Sequence, residues 1–171
     1  MVRLLQISLA AALVAAAVAS PRFAAPSGGD AAAQAMTLGP SGLPLPRFVS
    51  LKNAETYCRQ GPSFDHPVAY TFLKAGLPVQ VVAETTDHWR KIRDHEGSEC
   101  WAHQTTLRAV SHVIVEADTA ILVRAEIEAP VRARLRAGVI ARIERASGDW
   151  RLISVGELKG WAPVSRLWGA E

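Results

Sequence analysis

Leu73-Lys74-Ala75-Gly76-Leu77-Pro78-Val79 and Leu135-Arg136-Ala137-Gly138-Val139-Ile140-Ala141 are one phrase written twice. The first is followed by Asp87-His88-Trp89-Arg90-Lys91-Ile92, then Gly97, Cys100-Trp101-Ala102 and Leu107. The second is followed by Gly148-Asp149-Trp150-Arg151-Leu152-Ile153, then Gly156, Gly160-Trp161-Ala162 and Leu167. Trp to Trp is 12 residues in one copy and 11 in the other, and Trp to closing Leu is six in both. Self-similarity at this spacing is the mark of a duplicated structural unit.

Each copy carries strand chemistry. Val79, Val81 and Val82 form a β-branched run, and Trp89, Lys91 and Arg93 alternate with Arg90 and Ile92. Asp94-His95-Glu96-Gly97 is a polar turn with glycine where a positive φ is wanted, before a new strand at Cys100-Trp101-Ala102. Short strands at close spacing predict an all-β chain of two tandem small units, each a barrel or a sandwich, residues 46–108 and a divergent copy at 109–171. The stretch from Ala129 to Arg136 imitates a helix, but no long helical stripe follows residue 46.

Outside the repeat the composition changes. All five Trp, both Tyr and both Cys lie beyond residue 56, whereas residues 1–45 are rich in Ala, Gly, Pro and Ser. Arg3, the apolar run Leu4 to Val18 and the small residues Ala17-Val18-Ala19 have the order of a secretory signal, with cleavage expected before Ser20. A retained anchor is the alternative, but a span needs about 20 apolar residues and this run is shorter. Residues 20–45 hold Pro21, Pro26, Pro40 and Pro44 with four glycines and no apolar period, which reads as a flexible tether. The net charge of +3 falls to +2 once Arg3 leaves with the signal, and basic and acidic residues are interspersed, so the footprint of a nucleic-acid binder is missing.

Gly61-Pro62-Ser63, Pro67-Val68, Leu77-Pro78-Val79, Trp89-Arg90-Lys91-Ile92-Arg93-Asp94 and Trp101-Ala102-His103 resemble the bacterial SH3-like (SH3b) domain family, more narrowly its tandem secreted alphaproteobacterial type. The second copy has Ala125-Glu126-Ile127 in place of Gly-Pro-Ser but keeps Trp150 and Gly160-Trp161. The resemblance implies barrels of five to six strands and a place in the cell envelope, periplasmic or secreted. It also implies non-catalytic recognition of cell-wall peptidoglycan or of a peptide segment of an envelope protein. In such a barrel the strands bearing Cys58 and Cys100 are neighbours, and an exported chain meets an oxidising compartment, so a Cys58–Cys100 disulfide is expected. Val123 and Gly160 stand at the matching places of the second copy.

Candidate functional residues follow. Cys100 with His103 suggests a thiol and a base, but no third group orients them, and three-residue spacing on a strand points them to opposite faces. His66, His88, His95 and His103 lack metal-ligand spacing, so no metal and no cofactor is expected, and no enzyme. Trp89, Trp101, Trp150 and Trp161 recur in both copies, which favours packing. Tyr57 and Tyr70 occur only in the first copy and, with Arg59, Trp89 and Arg93, are the candidates for an aromatic-walled ligand groove beside Gly61-Pro62. An alternative is an assembly protein whose second barrel presents Ile121, Leu122 and Ile127 to a partner.

Overall fold

The computed structural model describes residues 37–170. The expected signal sequence, and the tether up to residue 36, lie outside the described residues. The first repeat contains β1 (Thr37–Leu38), β2 (Pro44–Leu45), β3 (Arg47–Leu51), β4 (Thr56–Arg59), β5 (Val68–Phe72), β6 (Pro78–Glu84), β7 (Trp89–Arg93), β8 (Glu99–His103) and β9 (Leu107–Ala109). The second contains β10 (His112–Val115), β11 (Thr119–Leu122), β12 (Val131–Leu135), β13 (Ile140–Ser147), β14 (Trp150–Val155), β15 (Leu158–Pro163) and β16 (Leu167–Trp168). A single 3₁₀ turn precedes β9 and another precedes β16.

Strands run β5-β4-β8-β7-β6-β3-β9 in one antiparallel sheet and β12-β11-β15-β14-β13-β10-β16 in the other. Each sheet has seven strands rather than the expected five to six, because a short closing strand after the 3₁₀ turn pairs with the first long strand. Cys58 on β4, Ile92 on β7, Val79 on β6 and Leu51 on β3 share one buried cluster, with Leu107 of β9 against it. Strands near opposite ends of a sheet can share a core only if the sheet curls on itself, so each repeat is a small barrel. Val113, Ile121, Leu135, Ala141, Ile153 and Leu167 form the second core in the same way.

The duplication is visible bond by bond. Leu51 N donates to Leu77 O and Gly76 N to Leu51 O, and Val115 N with Val139 O and Gly138 N with Val115 O repeat the pair. Gly76 and Gly138 hold φ of +83° and +80°, a region that L-residues rarely enter, which is why the repeated phrase keeps glycine there.

Ladder register corrects two alignments made from sequence. Arg59 pairs Trp101 on β8, and Leu122 pairs Trp161 on β15. Cys58 therefore corresponds to Ile121, not to exposed Val123, and Gly61-Pro62-Ser63 corresponds to Arg124-Ala125-Glu126, one residue earlier than the motif match suggested. Cys58 and Cys100 form the disulfide, with Cα atoms 5.4 Å apart. In the second barrel a Cβ on Gly160 would stand 2.8 Å from the Cβ of Ile121. An isoleucine folded over a glycine thus fills the space that the crosslink occupies in the first.

Residues 37–45, expected as the end of the tether, instead form a two-stranded sheet of their own that packs against the first barrel. β1 and β2 pair through Thr37↔Leu45 and Leu38↔Pro44, and Leu45 joins the core. Ser41 N donates to Glu84 at 3.0 Å. The Glu84 carboxylate is fully buried, paired with Arg47 and, at 2.9 Å, with Arg90. The glycines that suggested flexibility make the turn, as Gly42 at φ +76° shows.

The two barrels meet along a seam. Phe48 packs edge-on against Trp168 at 4.9 Å, Trp168 meets His95 at 5.3 Å, and Ser111 N donates to the buried Ser50 Oγ at 3.1 Å. A Cβ on Gly76 would come within 2.7 Å of the His112 ring. Burial first, then the charges of Arg108, Arg142 and Lys74, hold the His112 imidazole below its ordinary value of 6.5. Burial raises Glu84, but its bonds to Ser41 and Arg47 outweigh that and leave it below 4.5.

The disulfide closes a 42-residue loop, so a Cys58→Ala/Cys100→Ala variant is expected to lose about 4 kcal/mol on the chain-entropy scale, read by denaturant unfolding. Gly160→Ala should cost the second barrel about 1–3 kcal/mol by overpacking Ile121, in the same assay. Acid stability supplies another check. Both His112 and Glu84 have depressed folded values, so each contributes stability that is present above its ordinary value and lost as pH falls through the folded one. Thermal midpoints should fall in one limb below pH 6.5 and a second below 4.5, with His112→Gln removing the first and Glu84→Gln reducing the second, to which the depressed Glu99 and Glu144 also contribute.

Candidate functional site

Strand alternation decides what β4 offers to solvent. Thr56 and Cys58 are buried, while Tyr57 is 52% exposed and Arg59 faces the same outer side. Loop 60–67 folds back across this face because Arg59 Nη1 donates to Phe64 O at 3.1 Å and to His66 O at 2.7 Å. The guanidinium also stands 5.7 Å from the Phe64 ring centre, within cation–π range.

Phe64 is thereby set edge-on against Trp89 at 4.9 Å and 5.5 Å from His103. Trp89 and His103 are 5.4 Å apart, as expected for cross-strand partners on β7 and β8. Tyr57, Arg59, Phe64, Trp89 and His103 line one cleft of about 180 Å³ together with Asn53, Glu55 and Thr106. His103 Nδ1 lies 2.9 Å from Thr105 Oγ1, which orients the ring. Glu55 pushes the Tyr57 phenol above its ordinary value, first as a hydrogen-bond partner and then by its charge. The cleft thus offers aromatic faces beside one guanidinium whose Nε and Nη2 make no hydrogen bond among the described residues. It can stack on a flat or aliphatic group while pairing a carboxylate or carbonyl.

Three of the five residues expected in a groove are brought together: Tyr57, Arg59 and Trp89. Tyr70 is not among them. It lies opposite Cys58 in the ladder, so it faces inward, packs on the core and meets Phe72 edge-on at 5.3 Å. Its hydroxyl has no hydrogen-bond partner among the described residues, and burial pushes its pKa up. Arg93 is committed elsewhere, bonding Glu99 Oε1 at 2.9 and 2.7 Å beside the Lys91–Glu99 pair.

Phe64 and His103 are the residues that sequence reasoning missed as groove walls. A lone large apolar residue among Ser63, Asp65 and His66 was the available signal for Phe64. Cys100 is buried in the disulfide and His103 faces out, so no thiol stands beside this imidazole.

The second barrel has a groove at the same place. Register puts Ala120, Leu122, Ile127, Trp150 and Pro163 where the first barrel has Tyr57, Arg59, Phe64, Trp89 and His103. This groove is larger, about 600 Å³, and mainly apolar, with Thr119 and Asp149 its polar lining residues. Of the residues expected to form an interface there, Leu122 and Ile127 line it, but Ile121 belongs to the core.

Two compact barrels with seven-stranded antiparallel sheets, each presenting a cleft beside its β-hairpins, define small SH3-like domains. Residues 52–109 and 116–169 match the bacterial SH3 domain family, and the chain belongs to it. No curated protein matches the sequence. Among solved structures the chain is similar to NlpC2 and NlpC1 from Trichomonas vaginalis, each at 11% identity and a TM-score of 0.33 over 71% of this chain. It spans 47% and 45% of those two chains, and likeness at this level carries no argument about function.

Because Arg59 ties down loop 60–67 from an exposed face, Arg59→Ala should speed limited proteolysis within 60–67. The unfolding midpoint should move little, as for other surface changes of roughly ±0.5 kcal/mol.

Proposed function

We propose that this chain is an exported, non-catalytic binding module whose first barrel takes an extended peptide-bearing ligand of the cell envelope. The ligand is the peptide of cell-wall peptidoglycan or a peptide segment of an envelope protein. The observation that carries the reading is the Tyr57–Arg59–Phe64–Trp89–His103 cleft, aromatic on its walls with a guanidinium in reach of a carboxylate. Small barrels recognise extended peptides in aromatic-walled grooves because rigid rings cover backbone and side chains at little entropic cost. Membership of a family of wall- and peptide-binding modules supports it.

Export is supported by the disulfide, which persists in oxidising compartments, and by the signal-like order of Arg3, Leu4–Val18 and Ala17-Val18-Ala19. Among the described residues no helix is long and apolar enough to cross a membrane. The non-catalytic reading rests on the cleft's chemistry: among the described residues the imidazole meets aromatic rings and the Thr105 hydroxyl, with no third group hydrogen-bonded to orient that pair.

Co-sedimentation of the protein with purified peptidoglycan sacculi tests this, at low and high salt, beside a Tyr57→Ala/Phe64→Ala variant. Both side chains are exposed, so the variant should keep its fold by circular dichroism. Retention that survives salt and falls at least tenfold in the variant is expected. Retention that disappears with salt, or that the variant leaves unchanged, removes the cleft from wall binding. No retention of the wild type overturns the peptidoglycan reading and leaves the envelope-peptide one.

A further inference from the structure

The groove of the second barrel occupies the same site in the fold as the first cleft, but its chemistry is reversed. Leu122, Ile127, Ala129, Val131, Trp150 and Pro163 line it, and no cation is among the lining residues. Replacement of Tyr57, Arg59 and His103 by Ala120, Leu122 and Pro163 removes the phenol, the guanidinium and the imidazole together. A ligand rich in hydroxyls or carboxylates would leave those groups unpaired on such a floor, at a cost of about 1–3 kcal/mol each. Glycan and anionic peptide are therefore disfavoured here, and aliphatic groups are favoured.

The charge around the groove has one sign on two of its sides. Asp149, at the start of the Trp150 strand, is the one charged lining residue, and it makes no ion pair and no side-chain hydrogen bond among the described residues. Ile127, 83% exposed, sits between Glu126 and Glu128 on the facing loop. Glu126 is paired with Arg124, whereas Glu128 has no ion-pair partner among the described residues. The third side, along β12, carries two exposed cations, Arg132 next to the lining Val131 and Arg134 opposite Ala120, and neither lines the groove. An apolar floor with acid on these two margins is complementary to an aliphatic side chain whose basic neighbour lies towards Asp149 and Glu128.

We propose that the second groove is a separate docking site for an extended protein segment carrying a branched aliphatic residue next to lysine or arginine. The two barrels then hold two ligands of different chemistry on one body. The first engages polar, carboxylate-bearing peptide, and the second engages a basic–apolar segment of a protein partner.

The test is selection of a phage-displayed random heptapeptide library on the full chain, against Ile127→Asp and Glu128→Lys variants. Both positions are exposed, so neither change should lower the thermal midpoint, and that is measured first. Tyr57→Ala/Phe64→Ala serves as the control for the other cleft. The expected result is enrichment of aliphatic–basic pairs, with synthetic versions of the selected peptides binding at least tenfold more weakly to Ile127→Asp and unchanged to the Tyr57/Phe64 variant. Glu128→Lys should deplete basic residues from the selected sequences.

Several outcomes overturn the proposal. They are selection without basic enrichment, selected peptides that bind Ile127→Asp as well as wild type, or loss of their binding in the Tyr57/Phe64 variant alone. Concentration-dependent self-association abolished by Ile127→Asp would assign the groove to a second copy of this chain instead. Sacculus retention abolished by Ile127→Asp would assign it to the wall. Failure of the first cleft in the sacculus experiment leaves this test intact, because the two variant sets share no residue.

Discussion

A sheet of seven short strands can bury a face only by curling until its ends meet over one core, and in barrels this small that core is thin. How each closure is held explains most of the other features. In the first barrel Cys58 and Cys100 tie β4 to β8, and the buried Glu84 draws Arg47, Arg90 and the Ser41 amide together at the edge of β6. In the second barrel the same two strands meet through Ile121 lying on Gly160, with no charge and no crosslink. Both solutions fill one volume between β-strands, which is why losing both cysteines together leaves the second copy able to close.

Holding the frame by its inner face leaves the outer face free to vary. Arg59 and Leu122 occupy one ladder position, as do His103 and Pro163, and neither pair contributes to a core. The clefts therefore diverge in charge and polarity while the strands beneath keep their pairing. The seam at Phe48–Trp168 and Ser50–Ser111 joins the two barrels, so the two clefts sit on one body. At that seam the His112 ring is packed on Gly76 with three cations around it and no carboxylate bonded to it among the described residues, which disfavours its protonation.

Much of the fold was legible in the residues. The repeated Gly76 and Gly138 phrases, the alternation at Trp89 to Arg93 and the turn at Gly97 placed strands and hairpins correctly, and the resemblance added the disulfide. Residues 37–45 were misread because Pro and Gly in a short stretch describe a tight turn as well as a tether. Only the burial of Leu45 and the demand of Glu84 for a donor distinguish the two. The groove was half legible. Tyr57, Arg59 and Trp89 share one cleft, whereas Tyr70 does not, and aromatic composition alone does not say which face a strand residue takes. One place in the ladder, opposite Cys58, turns it into the core.

The sequence alone determined that the chain is all-β and duplicated, since periodicity, turn residues and self-similarity are local properties of the chain. It also singled out the cysteine pair, because the two thiols are the only ones present. Tertiary structure decided which residues meet. Pairing of β4 with β8 and of β11 with β15 set the true equivalence of the copies, brought Phe64 and His103 to Trp89, and showed an aliphatic groove where the other barrel has a cationic, aromatic one. Those contacts join residues up to 42 positions apart, as Arg59 and Trp101 are, and it is strand register, with its period of two, that chooses among the possible neighbours.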